Sequence, residues 1–530
     1  MRLRLPPVRG TDVLLALVAL ALIGLVGLPL LALLPRVGGF AALPGELDAL
    51  GNTVLLGLGT TLFALAIGGP MGFALARARL FRGADLLLVL PYVTPPYVTT
   101  IAWMMLANPT TGWLRPYLPV DIYTIGGMVW VLGLHLAPFV ATTVRDALTR
   151  LDPAMEEAAW LAGASRLRTL VSVTIPALLP AWVASATLVF ASTVASFGVP
   201  WMLGAPASDP VPVLSTRIVE VLELGWVRGR PLATSLALVL LVLGLGVPLL
   251  LRRLLAGRAW SGARSVRPLI PTDKPWATAL VASWGVLAVA VPTLTLIVAS
   301  LTDQGAFSTV HWARVVGDAR IVDALTRSTI VSACVATATV GIGGFVAWAA
   351  TRGGRGAGAV AGLARAGLAI PGSVLALALL LAFSQELRVI VLERATFTLA
   401  LADTAWLLGL AWFVRFLALP VDVVGAGTRG VHPSLEEAAR VAGAGPLRAL
   451  RSVTIPLLAP ALANAWFLVF VGAICEVTLA TMLAGPRTPV LGTMLFQLQT
   501  YADPRAACVL GVGLSALLLT GTALTRRFVR

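Results

Sequence analysis

The chain has 530 residues, of which 58% are hydrophobic and only 12% charged, with a mean hydropathy of +0.92 and a formal net charge of +15. That balance excludes an ordinary soluble domain and places the chain with multi-span membrane proteins. The positive charge raises nucleic-acid binding as a function, but the arginines stand in short stretches beside apolar runs rather than on one basic face, so no nucleic-acid partner is expected.

A membrane-crossing helix needs about 20 mostly apolar residues. The first such run, 13–34, is uncharged and follows Arg2, Arg4 and Arg9. It is too long for a signal-peptide core and ends in Leu34-Pro35-Arg36 without a small-residue cleavage pattern, so it reads as a retained span. Further runs fall at 53–76, 85–107, 125–144, 177–200, 231–251, 276–301, 328–350, 362–384, 397–420, 457–483 and 506–525. The expected fold is an all-α integral membrane protein of about twelve spans, because these runs are too long for barrel strands and lack their alternation. Prolines within them, such as Pro91, Pro95, Pro292 and Pro371, are tolerated where neighbouring groups re-satisfy the backbone.

Charge placement gives the expected orientation. With the N-terminus inside, the inner segments hold 26 of the 39 Lys and Arg and 10 acidic residues. The outer segments hold 12 basic and 13 acidic residues, and Arg415 and Glu476 lie within spans. That asymmetry places both termini in the cytoplasm. Cys334, Cys475 and Cys508 fall in separate spans and suit packing rather than disulfides. His135, His311 and His432 are scattered, so no metal ligand set is visible.

One segment occurs twice. Residues 153–180 and 433–460, at a constant offset of 280, agree at 18 of 28 positions. The matches include Glu156-Glu157-Ala158-Ala159 with Glu436-Glu437-Ala438-Ala439, Gly163 with Gly443, Leu167 with Leu447, and Ser172–Pro176 with Ser452–Pro456. Shared glutamate pairs, glycines and prolines in register mark a tandem duplication. The organisation is then a first half at 1–251, a basic linker at 252–275 and a second half at 276–530, each half with about six spans. Pro153 and Pro433 suit the first turn of a short helix, the glutamates its positive end, and Gly163 and Gly443 a left-handed C-terminal cap. Loops 152–176 and 432–456 are therefore expected to form helix–turn–helix knuckles on the inner face. A surface-lying amphipathic helix is the plain alternative, although it would favour Lys, Arg and large aromatics over paired carboxylates.

Glu-Glu-Ala-Ala, then Gly, then Leu-Arg and Ile-Pro resembles the "EAA" loop of permease subunits in bacterial ATP-binding-cassette importers. The resemblance covers most of the chain and implies that each loop carries a coupling helix docking in one of two ATPase subunits. By that likeness the coupling contacts are Glu156, Glu157, Ala158, Gly163 and Leu167, with Glu436, Glu437, Ala438, Gly443 and Leu447 in the second copy. The copies differ at Ser165-Arg166 against Gly445-Pro446. The chain has one lysine, Lys274, and no phosphate-binding loop, so ATP hydrolysis is expected on the partner subunits, which hold the ATP and magnesium. The chain itself is expected to carry no catalytic residues, metal or cofactor, and to meet lipid and an extracytoplasmic substrate-binding protein.

Two further segments bear on cargo. Ser196-Phe-Gly-Val-Pro-Trp-Met-Leu-Gly204 and Glu476-Val-Thr-Leu-Ala-Thr-Met-Leu-Ala484 stand at the same offset. The pairing is similar to the fused ferric-iron permeases, which makes ferric iron the expected cargo. Relatives handling polyamines, thiamine, phosphonates or sulfate share this architecture. Ser196 departs from the acidic residue expected there in iron-type relatives. Glu476 reads either as an intramembrane carboxylate on the transport path or as a helix-end glutamate reaching outer water. Arg415 has the same two readings, with His135 at its first-half position. A secondary ion-coupled transporter is the alternative of another class, and it would draw on Glu476, Arg415 and His135.

Overall fold

The computed structural model describes residues 10–34, 40–118, 120–207, 209–255, 272–354, 356–383, 387–391, 395–399, 401, 404–485, 487–499 and 503–529. Helices dominate, and among the described residues the strands form three two-stranded pairs: 78–79 with 272–273, 302–303 with 306–307, and 387–391 with 395–399. Among the described residues, eight helices are long and apolar enough to cross a membrane, and three bent helix pairs bring the number to eleven. The twelfth expected span, 85–107, is two shorter helices, Ala84–Val93 and Pro96–Ala107, parted at Pro95.

Prolines decide where the spans deform. Five-residue π-helical turns occur at Ile23–Gly27, Leu170–Thr174, Val242–Gly246, Val286–Ala290 and Leu450–Thr454. In each case proline is the second residue after the turn, at Pro29, Pro176, Pro248, Pro292 and Pro456. Proline supplies no N–H and its ring crowds the carbonyl four residues earlier, so the preceding turn widens rather than the helix breaking. At Ile370-Pro371 the helices Ala357–Ala369 and Gly372–Phe383 instead bend by 105°.

Two compact units result, and they are not the two sequence halves. One unit contains Met1–Gly38, Arg314–Leu498 and Ala516–Arg530. Its core sets Leu15 and Leu22 of the first helix among Val346, Ala349, Val360, Leu417 and Val421. The other contains Gly39–Ala313 and Gln499–Ser515. There the Trp284 indole, from the first helix of the second half, donates to the Leu134 carbonyl at 3.1 Å. Each unit thus takes the opening helix of the other repeat.

Each unit is built on one long helix, Leu47–Arg77 or Ala319–Thr351. These align at an offset of 275, not 280. Thr53 and Ser328 accept hydrogen bonds from the backbone of Leu214 and Leu491, at 2.8 and 2.7 Å. Gly68 lets the Ala137 carbonyl approach to where a Cβ would stand 2.4 Å away, and Gly343 gives Pro420 the same access at 3.0 Å. The equivalent residues at the far end are Arg77 and Arg352.

Candidate coupling loops and a buried ion pair

Both repeated loops fold as expected from their punctuation. Helix Ala154–Leu161 follows Pro153, and helix Ser434–Val441 follows Pro433. Asp152 accepts from the Ala154 backbone at 3.0 Å, and His432 takes this position in the second copy, accepting from the Ser434 backbone at 3.3 Å. Gly163 has φ +84° and Gly443 φ +87°. Around them run the paired bonds Ala164 to Ala159 with Gly163 to Trp160, and Ala444 to Ala439 with Gly443 to Arg440. That is a Schellman cap, whose left-handed residue costs glycine little and other residues more. The loops then enter short helices Arg166–Thr169 and Pro446–Ala449. Ser165 caps the first of these by accepting from the Arg168 backbone at 3.3 Å, whereas Gly445 has no side chain to do so.

The glutamates divide between two faces. Glu156 and Glu436 are buried, 6% and 7% exposed. Glu156 accepts from the Arg77 guanidinium at 2.6 Å and from the Thr174 hydroxyl. Glu436 accepts from Arg352 through two nitrogens at 3.2 and 3.3 Å, from the Trp348 indole at 3.2 Å and from Thr454 at 3.0 Å. The carboxylates assigned to an outer contact by sequence are therefore turned inward, because a buried carboxylate needs a cation and donors around it. Glu157 is half-buried, and Glu437, Ala158, Ala438, Gly163 and Gly443 are exposed. Leu167 is exposed at 70%. Leu447 lies in the short helix Pro446–Ala449, but its side chain is outside the described residues.

Apolar residues at the tips escaped the sequence reading. Leu161 and Val441, at equivalent positions before the glycine, are each 90% exposed, and Trp160 and Leu435 are about half exposed. Contiguous exposed apolar groups rimmed by polar ones are the kind of surface that takes part in protein or membrane contacts, whereas isolated ones need no explanation. The signal was present in sequence as Trp160-Leu161 and Arg440-Val441 just before the glycines, where a helix end projects its side chains.

Lys274, at the end of the linker, lies beside the first loop. Strand 272–273 pairs with 78–79, next to Arg77. Desolvation holds the Lys274 ammonium below its ordinary pKa, and the charges of Arg77 and Arg166 push the same way.

The transport-path candidates separate by half. Arg415 and Glu476 approach to 4.0 Å, Nε to Oε1. The Arg415 guanidinium also donates to the Ile370 carbonyl at 3.3 Å, which the 105° bend leaves open. Glu476 accepts from the Leu479 backbone at 2.6 Å, at the start of helix Thr478–Leu483. The pair thus sits where broken helices meet. The equivalent first-half residues carry no such pair. His135 lines a small cavity of ≈ 20 Å³ with Pro91, Thr94, Thr99, Trp103 and Thr293. Ser196 is half-buried and uses its carbonyl to accept from the Ser215 hydroxyl at 2.7 Å. Among the described residues no group of three or more His, Cys, Asp or Glu is placed to hold a metal ion.

Comparison with known proteins matches two stretches, residues 64–260 and 339–530, to the family described as binding-protein-dependent transport system inner membrane component. The matched stretches begin 275 residues apart, the spacing of the long helices. A probable molybdenum ABC transporter permease protein of Haloferax volcanii is 30% identical over 39% of this chain and 75% of its own length. The sulfate transport system permease protein of Escherichia coli is 34% identical over 28% of this chain and 54% of its own length. The putrescine transport system permease protein of the same organism is 28% identical over 37% of this chain and 68% of its own. The chain belongs to the binding-protein-dependent transport system inner membrane component family and carries that family's domain twice in one polypeptide.

Proposed function

We propose that this chain is the whole membrane-spanning part of an ATP-driven importer, with its two knuckles facing the cytoplasm and each seated on one ATPase subunit. The observation that carries this reading is the twinned knuckle itself: two helices of equal length, each ending in a glycine cap with an apolar residue 90% exposed beside it. The inner excess of arginine supports the orientation. ATP and its magnesium belong to the partner subunits, and a substrate-binding protein delivers cargo at the opposite face.

The cargo is a small charged solute. A tetrahedral oxyanion is favoured, because relatives named for molybdenum and sulfate transport match this chain at 30% and 34% identity. Ferric iron is the second reading, supported by the paired segments 196–204 and 476–484. The test is ATP hydrolysis by the reconstituted complex with its binding protein loaded in turn with molybdate, sulfate, putrescine or Fe(III). Stimulation by an oxyanion supports the first reading and stimulation by Fe(III) alone the second. Uptake driven by an ion gradient without ATP would overturn both.

A further inference from the structure

We propose that Glu156 and Glu436 are positioning residues that lock each coupling helix to the end of the long helix of its half, so that displacement of the loop is delivered into that helix. This rests on the knuckles being the motor contacts. Each helix is only eight residues long and is followed by a sharp glycine turn, so a push at Leu161 or Val441 would tilt it unless its first turn were anchored. The anchor is the buried carboxylate. One glutamate joins three elements: the long helix through Arg77 or Arg352, the loop helix that bears it, and the π-turn entering the next span through Thr174 or Thr454.

The constellation is kept in both halves although its parts are spaced differently. Glu156 and Thr174 match Glu436 and Thr454 at offset 280, whereas Arg77 matches Arg352 at 275. One turn before each arginine stands an aromatic residue, Phe73 or Trp348. The Arg77 guanidinium lies 5.7 Å from the Phe73 ring centre, while Trp348 donates directly to Glu436. Duplicated chains that slip by five residues between two elements, yet close the same four-residue clasp, hold it by geometry and not by local sequence alone.

The two clasps are unequal. Without Arg77, Glu156 retains the Thr174 hydroxyl and the nearby charge of Lys274; without Arg352, Glu436 retains two direct donors, Trp348 and Thr454. The complex with its ATPase subunits, in proteoliposomes with loaded binding protein, gives three readouts: ATPase subunits retained, ATP turnover and solute taken up per ATP. Arg77→Gln is expected to lower uptake per ATP about tenfold with the ATPase subunits retained, and Arg352→Gln only about threefold. Adding Trp348→Phe to Arg352→Gln should bring the second clasp down to the level of the first. Glu156→Gln, which keeps the side-chain shape and removes the charge that holds Arg77, should reproduce Arg77→Gln. The double exchange Arg77→Glu with Glu156→Arg should recover much of the loss. Unchanged uptake per ATP in assembled Arg77→Gln and Glu156→Gln complexes would overturn the proposal. So would loss that merely parallels loss of ATPase retention. Failure of the unaltered chain to retain any ATPase subunit would instead overturn the knuckle assignment on which it rests.

Discussion

At the loops the two halves are nearly interchangeable, whereas at buried interior positions they differ in charge. Residues 153–180 and 433–460 share the cap, the glycine turn, the inward glutamate and the exposed apolar tip. At the equivalent interior positions, one repeat carries His135 and Ser196 and the other the ion pair Arg415–Glu476. A duplicated surface suits two like partners, and the interior positions are under no such constraint. What stayed the same is the proposed motor contact, and what diverged is the proposed transport-path set.

That contrast can be broken at the loops first. Gly163→Pro with Gly443→Pro fixes φ near −65° where the caps need +84° and +87°. The protein is expected to insert but to lose uptake by more than about 100-fold, measured as transport and stimulated ATP turnover in proteoliposomes. Next, Leu161→Glu and Val441→Glu each place a charge on an apolar tip and should each weaken ATPase retention about tenfold, with the double change additive on a logarithmic scale. Unequal single effects would mean that the two docking sites differ.

In the buried interior the predictions concern stability as well as cargo. Arg415→Met leaves Glu476 buried without its cation and should destabilise the chain by about 3 kcal/mol, read as a lowered melting midpoint in detergent. Arg415→His with Glu476→Ser copies the first half's residues into the second. It should restore stability and leave ATPase retention intact, while uptake falls about tenfold. The smallest effect is expected at Lys274. Its folded-state pKa is lowered, so the charged form is disfavoured on folding, and the cost is present at neutral pH and relieved as pH rises through that pKa. Lys274→Gln should therefore leave uptake unchanged and raise the melting midpoint slightly at pH 7.

Sequence made the duplication, the helical class, the glycine caps and the interior candidates readable, because each depends on residues close together or at one fixed offset. It did not reveal that Arg77 and Arg352 complete the loops, since the offset changes from 280 to 275 between the two partners. Nor did it separate Glu156 from Glu157. Adjacent carboxylates on a two-turn helix point to different faces, and only the position of the long helix decides which is buried. The pairing of Arg415 with Glu476 needed the helix breaks at Pro371 and Cys475, which a hydropathy run reads as continuous. The exchange of opening helices between units left no local signal, because any apolar helix can pack on either half.

The central claim, two inward loops seated on a pair of ATPase subunits, is met most directly by site-specific crosslinking. A chain with Cys334, Cys475 and Cys508 replaced would carry a single cysteine at Leu161 or at Val441. The account predicts that each forms a crosslink to an ATPase subunit and that neither reacts with a membrane-impermeant thiol reagent added to intact cells. Labelling from outside, or no crosslink at either position in an assembled complex, would contradict it.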